Sequence, residues 1–306
     1  MKYSDFSLNQ LMSNESYELF CNRLLNLPLD SNTYEKLESI LYNGGYKEYS
    51  LTSNLSNRDN PKIEMERRIG MAYLLLRNPE TFDALVDNNI NIFHGTNANA
   101  LPSILVHGLS SLNNLTSNNI EVTTGEKSTR NAEGRSFVSL TDVLDIAEGY
   151  STLYPDQRNQ DLSFSVVIGT TVDDAVSTGL FRVHSDVPEI GLRDTLPEEG
   201  ISCLLVPSSK VDLVRRMASN KLVFAADDIE DRFYYIDELG NVLIDEDKFN
   251  EFVRIISGKN AEETPTIPEI RETVFSRMAS RIKGKLIDIK DNLLGDDLSY
   301  GKQSIK

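Results

Sequence analysis

The sequence predicts an α+β fold on three observations. The first 88 residues carry helical spacing and helix-capping signals. From residue 89 to about 260, short β-branched runs alternate with helical segments. The last stretch returns to an amphipathic helical pattern. These shifts divide the 306 residues into an N-terminal helical region (1–88), a mixed core (89–260) and a C-terminal amphipathic helix with a polar tail (261–306).

In the first region, "SNTYEKLESILYN" (31–43) opens on a capping residue and places Tyr34, Leu37, Ile40 and Leu41 at helical spacing. "NPKIEMERRIGMAYLLLR" (60–77) starts with Asn60 as cap and Pro61 at the first helical position. Asn78-Pro79 repeats that signal. Beyond residue 89, "INIF" (90–93) reads as a strand and "LPSILVHG" (101–108) as a helix stopped by Gly108. Residues 110–135 are polar and loop-like. "RSFVSL" (135–140) reads as a strand, and "TDVLDIAEGYSTLY" (141–154) as a helix capped by Thr141. "LSFSVVIGT" (162–170) is the strongest strand signal, being β-branched or aromatic at most positions. A long loop is expected over 176–200, then the strand "ISCLLVP" (201–207). "DRFYYIDELGNVLID" (231–245) reads as a hairpin turning at Gly240-Asn241. In "PEIRETVFSRMASRIKGKLIDIKDNLL" (268–294), Ile270, Val274, Met278 and Ile282 share one face, as in a docked amphipathic helix.

Composition narrows the function. No run of about 18 apolar residues is present, which argues against a membrane span, and the start lacks the pattern of a secretory signal. Cys21 and Cys203 are too few for a disulfide framework and fit a reducing compartment. The formal net charge of −16 repels a phosphate backbone, so nucleic acid is not an expected partner. A small anionic ligand needs only two or three local cations.

"FHGT" (93–96) followed by "ILVHGL", then "FVSLTDVLDIAEGYS", then "FSVVIGT…ISCLLVPSSKVDLV" form an ordered series over residues 89–225. In that order they resemble the ADP-ribosyltransferase superfamily, close to its His-Tyr-Glu branch of diphtheria-type toxins and poly(ADP-ribose) polymerases. The resemblance implies a split β-sheet core that takes NAD as substrate, without a metal. It implies that Gly95 holds the nicotinamide carboxamide by its backbone, His94 a ribose, and Thr96 a nearby hydroxyl. Tyr150 would stack on the nicotinamide ring, and Arg130 or Arg135 would meet a phosphate. Ser139 stands where the branch usually has a second tyrosine; "SLT" is similar to the Ser-Thr-Ser strand of the arginine-type toxins. Aligning "CLLVP" with the last motif puts the catalytic glutamate's place at Ser202 or Cys203, neither acidic, so Glu199, just upstream, is the expected carboxylate.

The implied activity is mono-ADP-ribosylation of a target protein, as by a bacterial effector acting in the cytoplasm or delivered into a host cytosol. Two alternatives stand beside it. One is an RNA 2′-phosphotransferase, which shares the fold and the "H-G-T" start. The other is an inactive interaction module.

Overall fold

Capping side chains set where the first helices begin. The computed structural model describes residues 11, 14–44, 60–120, 137–152, 162–183, 188–226 and 231–257. Arg130, Arg135 and the helix expected over 268–294 lie outside them. Helix α1 (Glu15–Leu25) starts at Asn14, whose side chain accepts the Tyr17 N–H at 3.0 Å. Helix α2 (Ser31–Glu38) is capped by Asp30 rather than Ser31: the Asp30 carboxylate accepts the N–H groups of Asn32 and Thr33. A π-helical turn (Ser39–Asn43) extends it to Gly44, left-handed at φ 65°. Helix α3 (Pro61–Arg77) begins as expected, with Asn60 accepting from Lys62 and Pro61 in the first turn. Helix α4 (Pro79–Asp87) has Pro79 in its first turn, but the Asn78 side chain makes no capping bond.

Strand β1 (Ile90–Asn97) runs four residues past the expected "INIF", straight through His94, Gly95 and Thr96. Helix α5 (Leu101–His107) follows and ends at Gly108, φ 77°. The polar stretch expected to be loop holds a further helix, α6 (Leu112–Ser117). Then come β2 (Val138–Leu140), α7 (Leu144–Thr152) and β3 (Ser165–Thr171). The stretch expected as one long loop is built instead from the end of α8 (Val172–Val176), β4 (Leu180–Arg182) and β5 (Ile190–Leu192). Three-residue strands are too short to show period-two alternation in sequence. Strand β6 (Cys203–Val206), α9 (Val211–Met217), β7 (Leu222–Ala225), the hairpin β8 (Tyr234–Ile236) and β9 (Val242–Ile244), and α10 (Glu246–Ile256) complete the described chain. The hairpin turns at Gly240, φ 85°, as expected. Among the described residues no helix is long and apolar enough to cross a membrane.

The fold is mixed α+β with several small sheets. One sheet has the order β1-β3-β6-β7, antiparallel except for β6 with β7; a second has the order β2-β5-β4. Alternation along the first sheet sorts its side chains into two cores. Phe93, Val167, Cys203 and Leu205 face one core, shared with Phe20, Leu41, Ile69 and Leu75 of the N-terminal helical region. Ile92, Ile168, Leu204 and Val206 face the other, shared with Val138, Leu140, Ile190 and Leu192 of the second sheet. Helices therefore cover one face of the sheet and the β2-β5-β4 sheet covers the other.

A buried charge network fastens α7 to α3. Arg67 donates to Glu64 at 2.5 Å and to Asp142 at 2.9 Å; Arg68 donates to Glu64 at 2.8 Å and to the Leu41 carbonyl at 3.1 Å. Gly70, at the middle of α3, lies against the Asp145 carboxylate so closely that a Cβ there would overlap Oδ1. Glycine in a helix interior costs about 1 kcal/mol relative to alanine. We expect Gly70→Ala to lower stability all the same, because overpacking costs about 1–3 kcal/mol. Urea unfolding of the two proteins checks this; a more stable variant would show that Asp145 can move without loss.

Candidate functional site

Strand β1 uses both of its edges differently, and the difference creates the site. Its whole length pairs with β3, with His94 opposite Ile168, Gly95 opposite Val167 and Thr96 opposite Val166. The other edge meets β2 through a single bridge, where Phe93 and Thr141 exchange both hydrogen bonds at 2.7 and 2.9 Å. Residues two apart on a strand aim their N–H and C=O the same way. Those of Gly95 therefore aim at the β2 side, as Phe93's do, where among the described residues the ladder does not continue. Gly95 thus sits inside the strand, not at its end as expected, and its peptide edge faces away from β3.

Glycine is required here for a second reason. Helix α7 crosses β1 so closely that a Cβ on Gly95 would overlap the Ala147 carbonyl oxygen and stand 2.9 Å from the Ser151 nitrogen. Tyr150 precedes Ser151, so its backbone lies near Gly95 on the helical face of the sheet, and the residue is half-buried. Thr141 is not the cap expected of it: α7 starts only at Leu144, and the Thr141 Oγ1 accepts the Val143 N–H at 3.1 Å in the turn that leads into the helix.

His94 projects from the opposite face of β1, toward the second sheet. Its Nδ1 lies 2.8 Å from the Ser139 carbonyl oxygen. A carbonyl only accepts, so Nδ1 carries the proton and Nε2 of the neutral ring is an acceptor. Burial pushes the His94 pKa below its ordinary value, and the Ser139 hydrogen bond pulls the other way. Thr96 shares the His94 face of β1 and is half-buried.

Ser139 joins the histidine to an acid. Its Oγ donates a short hydrogen bond to Oε1 of Glu189, the residue that leads into β5. Strand pairing sets this up: Ser139 lies opposite Gly191, and Leu140 opposite Ile190. His94, Ser139 and Glu189 thus form one contiguous group beside the Gly95 edge.

Glu199 stands elsewhere. It lies in a 3₁₀ turn (Glu198–Gly200) ahead of β6, and its side chain is exposed. Strand β6 runs in the same direction as β1 with β3 between them, and Cys203 is level with Phe93 through Gly169. Glu199 is therefore upstream of the level of His94. Its neighbour Glu198 is a surface ion-pair partner, 2.8 Å from Lys221, and that hydrogen bond holds its carboxyl below the usual range. Glu189 escaped sequence reading because its strand is only three residues long. The one signal was Ile190 and Leu192 flanking Gly191, a minimal alternating pattern.

The arrangement offers a backbone donor and acceptor pair, a neutral imidazole acceptor, an aromatic residue and a carboxylate around one strand edge. Among the described residues no three His, Cys, Asp or Glu side chains gather as a metal site would need. No protein-family model matches the chain, and no curated protein matches it.

The depressed pKa has a definite sign. A histidine that folds neutral contributes stability fully above its ordinary pKa of about 6.5, and that contribution is lost as pH falls through the lowered folded value. We expect the stability difference between the wild type and His94→Gln to shrink from pH 7.5 to pH 5. Urea unfolding at both values measures it; a constant difference would mean that His94 is as readily protonated folded as unfolded.

Proposed function

We propose that the protein is a mono-ADP-ribosyltransferase that breaks the nicotinamide–ribose bond of NAD and passes ADP-ribose to a protein side chain. The observation that carries the reading is the His94–Ser139–Glu189 group beside the open peptide edge of Gly95. Two sheets that meet at this histidine support the resemblance between these motifs and the ADP-ribosyltransferase superfamily.

In this reading Gly95 holds the carboxamide with its N–H and C=O, and His94 accepts a ribose hydroxyl at Nε2. Tyr150 covers the nicotinamide ring and keeps water out. The catalytic carboxylate is Glu189 in place of Glu199. The C1′–N bond breaks with its electron pair leaving on nicotinamide, and the ribose C1′ becomes cationic. Glu189 stabilises that charge; the acceptor side chain then bonds to C1′ and gives up a proton. A carboxylate about 4 Å from the developing charge, at an effective dielectric of about 20, is worth on the order of 4 kcal/mol, or roughly a thousandfold in rate. Ser139 contributes by fixing the Glu189 carboxylate before the reaction, so little reorganisation remains. The net charge of −16 favours a protein acceptor over RNA.

Nicotinamide release and labelling of lysate protein with biotinylated NAD test the assignment. We expect Glu189→Gln to lower turnover by about a hundredfold or more, as for one lost transition-state contact. His94→Ala should abolish labelling, and Glu199→Gln should change it less than about threefold. Tyr150→Ala should weaken NAD binding, whereas Tyr150→Phe should preserve it. Loss with Glu199→Gln and none with Glu189→Gln would overturn the assignment. A wild type that releases no nicotinamide, with or without lysate, would mark a non-catalytic module.

A further inference from the structure

We infer that Arg232 is a positioning residue for this site: it holds α7 at the rotation that brings Tyr150 beside the open edge of Gly95. The inference rests on the reading of that edge as the NAD site. Arg232 immediately precedes the β8–β9 hairpin, remote in sequence from every residue discussed there, and its side chain is 5 % exposed. It forms ion pairs with Asp145 and with Glu148, one turn apart on α7. It also donates to the Tyr234 hydroxyl at 2.9 Å, which in turn donates to Asp145 at 2.8 Å. Arg67 extends the clasp to Asp142, just before the helix.

Asp145 and Glu148, three residues apart, share one face of α7, and Asp142 stands just before its start. Tyr150 lies two residues beyond Glu148, about 200° around the helix axis. The clasp and the tyrosine therefore occupy opposite sides of one short helix. A roll of that helix carries Tyr150 across the edge of β1 in proportion. Helix α7 has nine residues, and its buried side chains on the sheet side include only Leu144 and Ala147 as apolar contacts. Apolar contact tolerates sliding, whereas a planar guanidinium that bonds two carboxylates and a phenol fixes direction. Gly70 of α3 leaves the space into which Asp145 fits. Replacing a buried ion pair by apolar groups is often neutral for stability, so stability alone does not account for a clasp of this kind.

Arg232→Lys keeps the charge and removes the fork. The protein is labelled with 3-fluorotyrosine, and the Tyr150 resonance among the twelve tyrosines is identified by its absence in Tyr150→Phe. We expect Arg232→Lys to move the Tyr150 resonance as well as those of its direct neighbours Tyr73 and Tyr234. In turnover we expect KM for NAD to rise about tenfold with kcat changed less than threefold, and the KM effect to fall below twofold in a Tyr150→Ala background. Should Arg232→Lys not fold, Glu148→Gln trims the same clasp from the helix side and is read identically. A Tyr150 resonance that stays in place while those of Tyr73 and Tyr234 move overturns the inference. So does a reduced active fraction with unchanged KM, the signature of a merely structural residue. A wild type without NAD turnover refutes the NAD reading and leaves the fluorine spectrum to decide the positioning.

Discussion

The close crossing of α7 over β1 governs the arrangement of this protein. Gly95 admits the backbone of α7 to a distance that any side chain would forbid, and the Ala147 carbonyl occupies the space a Cβ would need. That contact alone would let a nine-residue helix rock. It does not stand alone: Arg67 and Arg232 grip the far side of the helix through Asp142, Asp145 and Glu148. Bare backbone on one side and paired charges on the other leave α7 one comfortable position.

From that position the rest of the site follows. The chain enters α7 directly from β2, so fixing the helix also fixes Thr141 against Phe93. Beyond this bridge β2 turns its Ser139 carbonyl to the His94 ring instead of continuing a ladder with β1. A side-chain hydrogen bond replaces backbone pairing, and the peptide edge of Gly95 is left facing away from β3. The second sheet then supplies the acid. Pairing of β2 with β5 puts Glu189 against Ser139, and the buried residues of β5, Ile190 and Leu192, anchor that pairing in the apolar core beneath.

The charges around α7 illustrate why burial of ions signals geometry more than stability. Removing carboxylates and guanidiniums from water costs several kcal/mol per ion, which mutual attraction offsets only when the geometry is good and the remaining atoms are bonded. Here the ions are shared: Glu64 pairs with both Arg67 and Arg68, and Arg232 with both Asp145 and Glu148. The orientation is thereby specified more sharply than apolar packing of Leu144 and Ala147 could manage. Burial holds the Tyr234 phenol well above its usual pKa, with Arg232 pulling it down and Asp145 adding to the rise, so it remains a donor within the clasp.

Much of this was legible in the sequence where the information is local. Asn60-Pro61 marks a helix start, Gly108 and Gly240 mark backbone reversals, and "LSFSVVIGT" marks a central strand, because caps, positive φ and β-branching act over a few residues. The sequence likewise brought His94, Gly95 and Tyr150 forward, since a histidine before Gly-Thr and a tyrosine at a helix end are patterns within one element. What stayed hidden was whatever depends on elements meeting. Glu189 and Ser139 are fifty residues apart, joined by a strand too short to show its period. Glu199 drew attention only by standing just upstream of β6, where the resemblance puts a glutamate, whereas the acid beside Ser139 comes from the second sheet. Arg232 reads in sequence as one more solvated charge, and only the approach of α7 turns it into a clasp. Helix ends and turns obey local stereochemistry; the partner of a buried charge is decided by what the completed fold brings beside it.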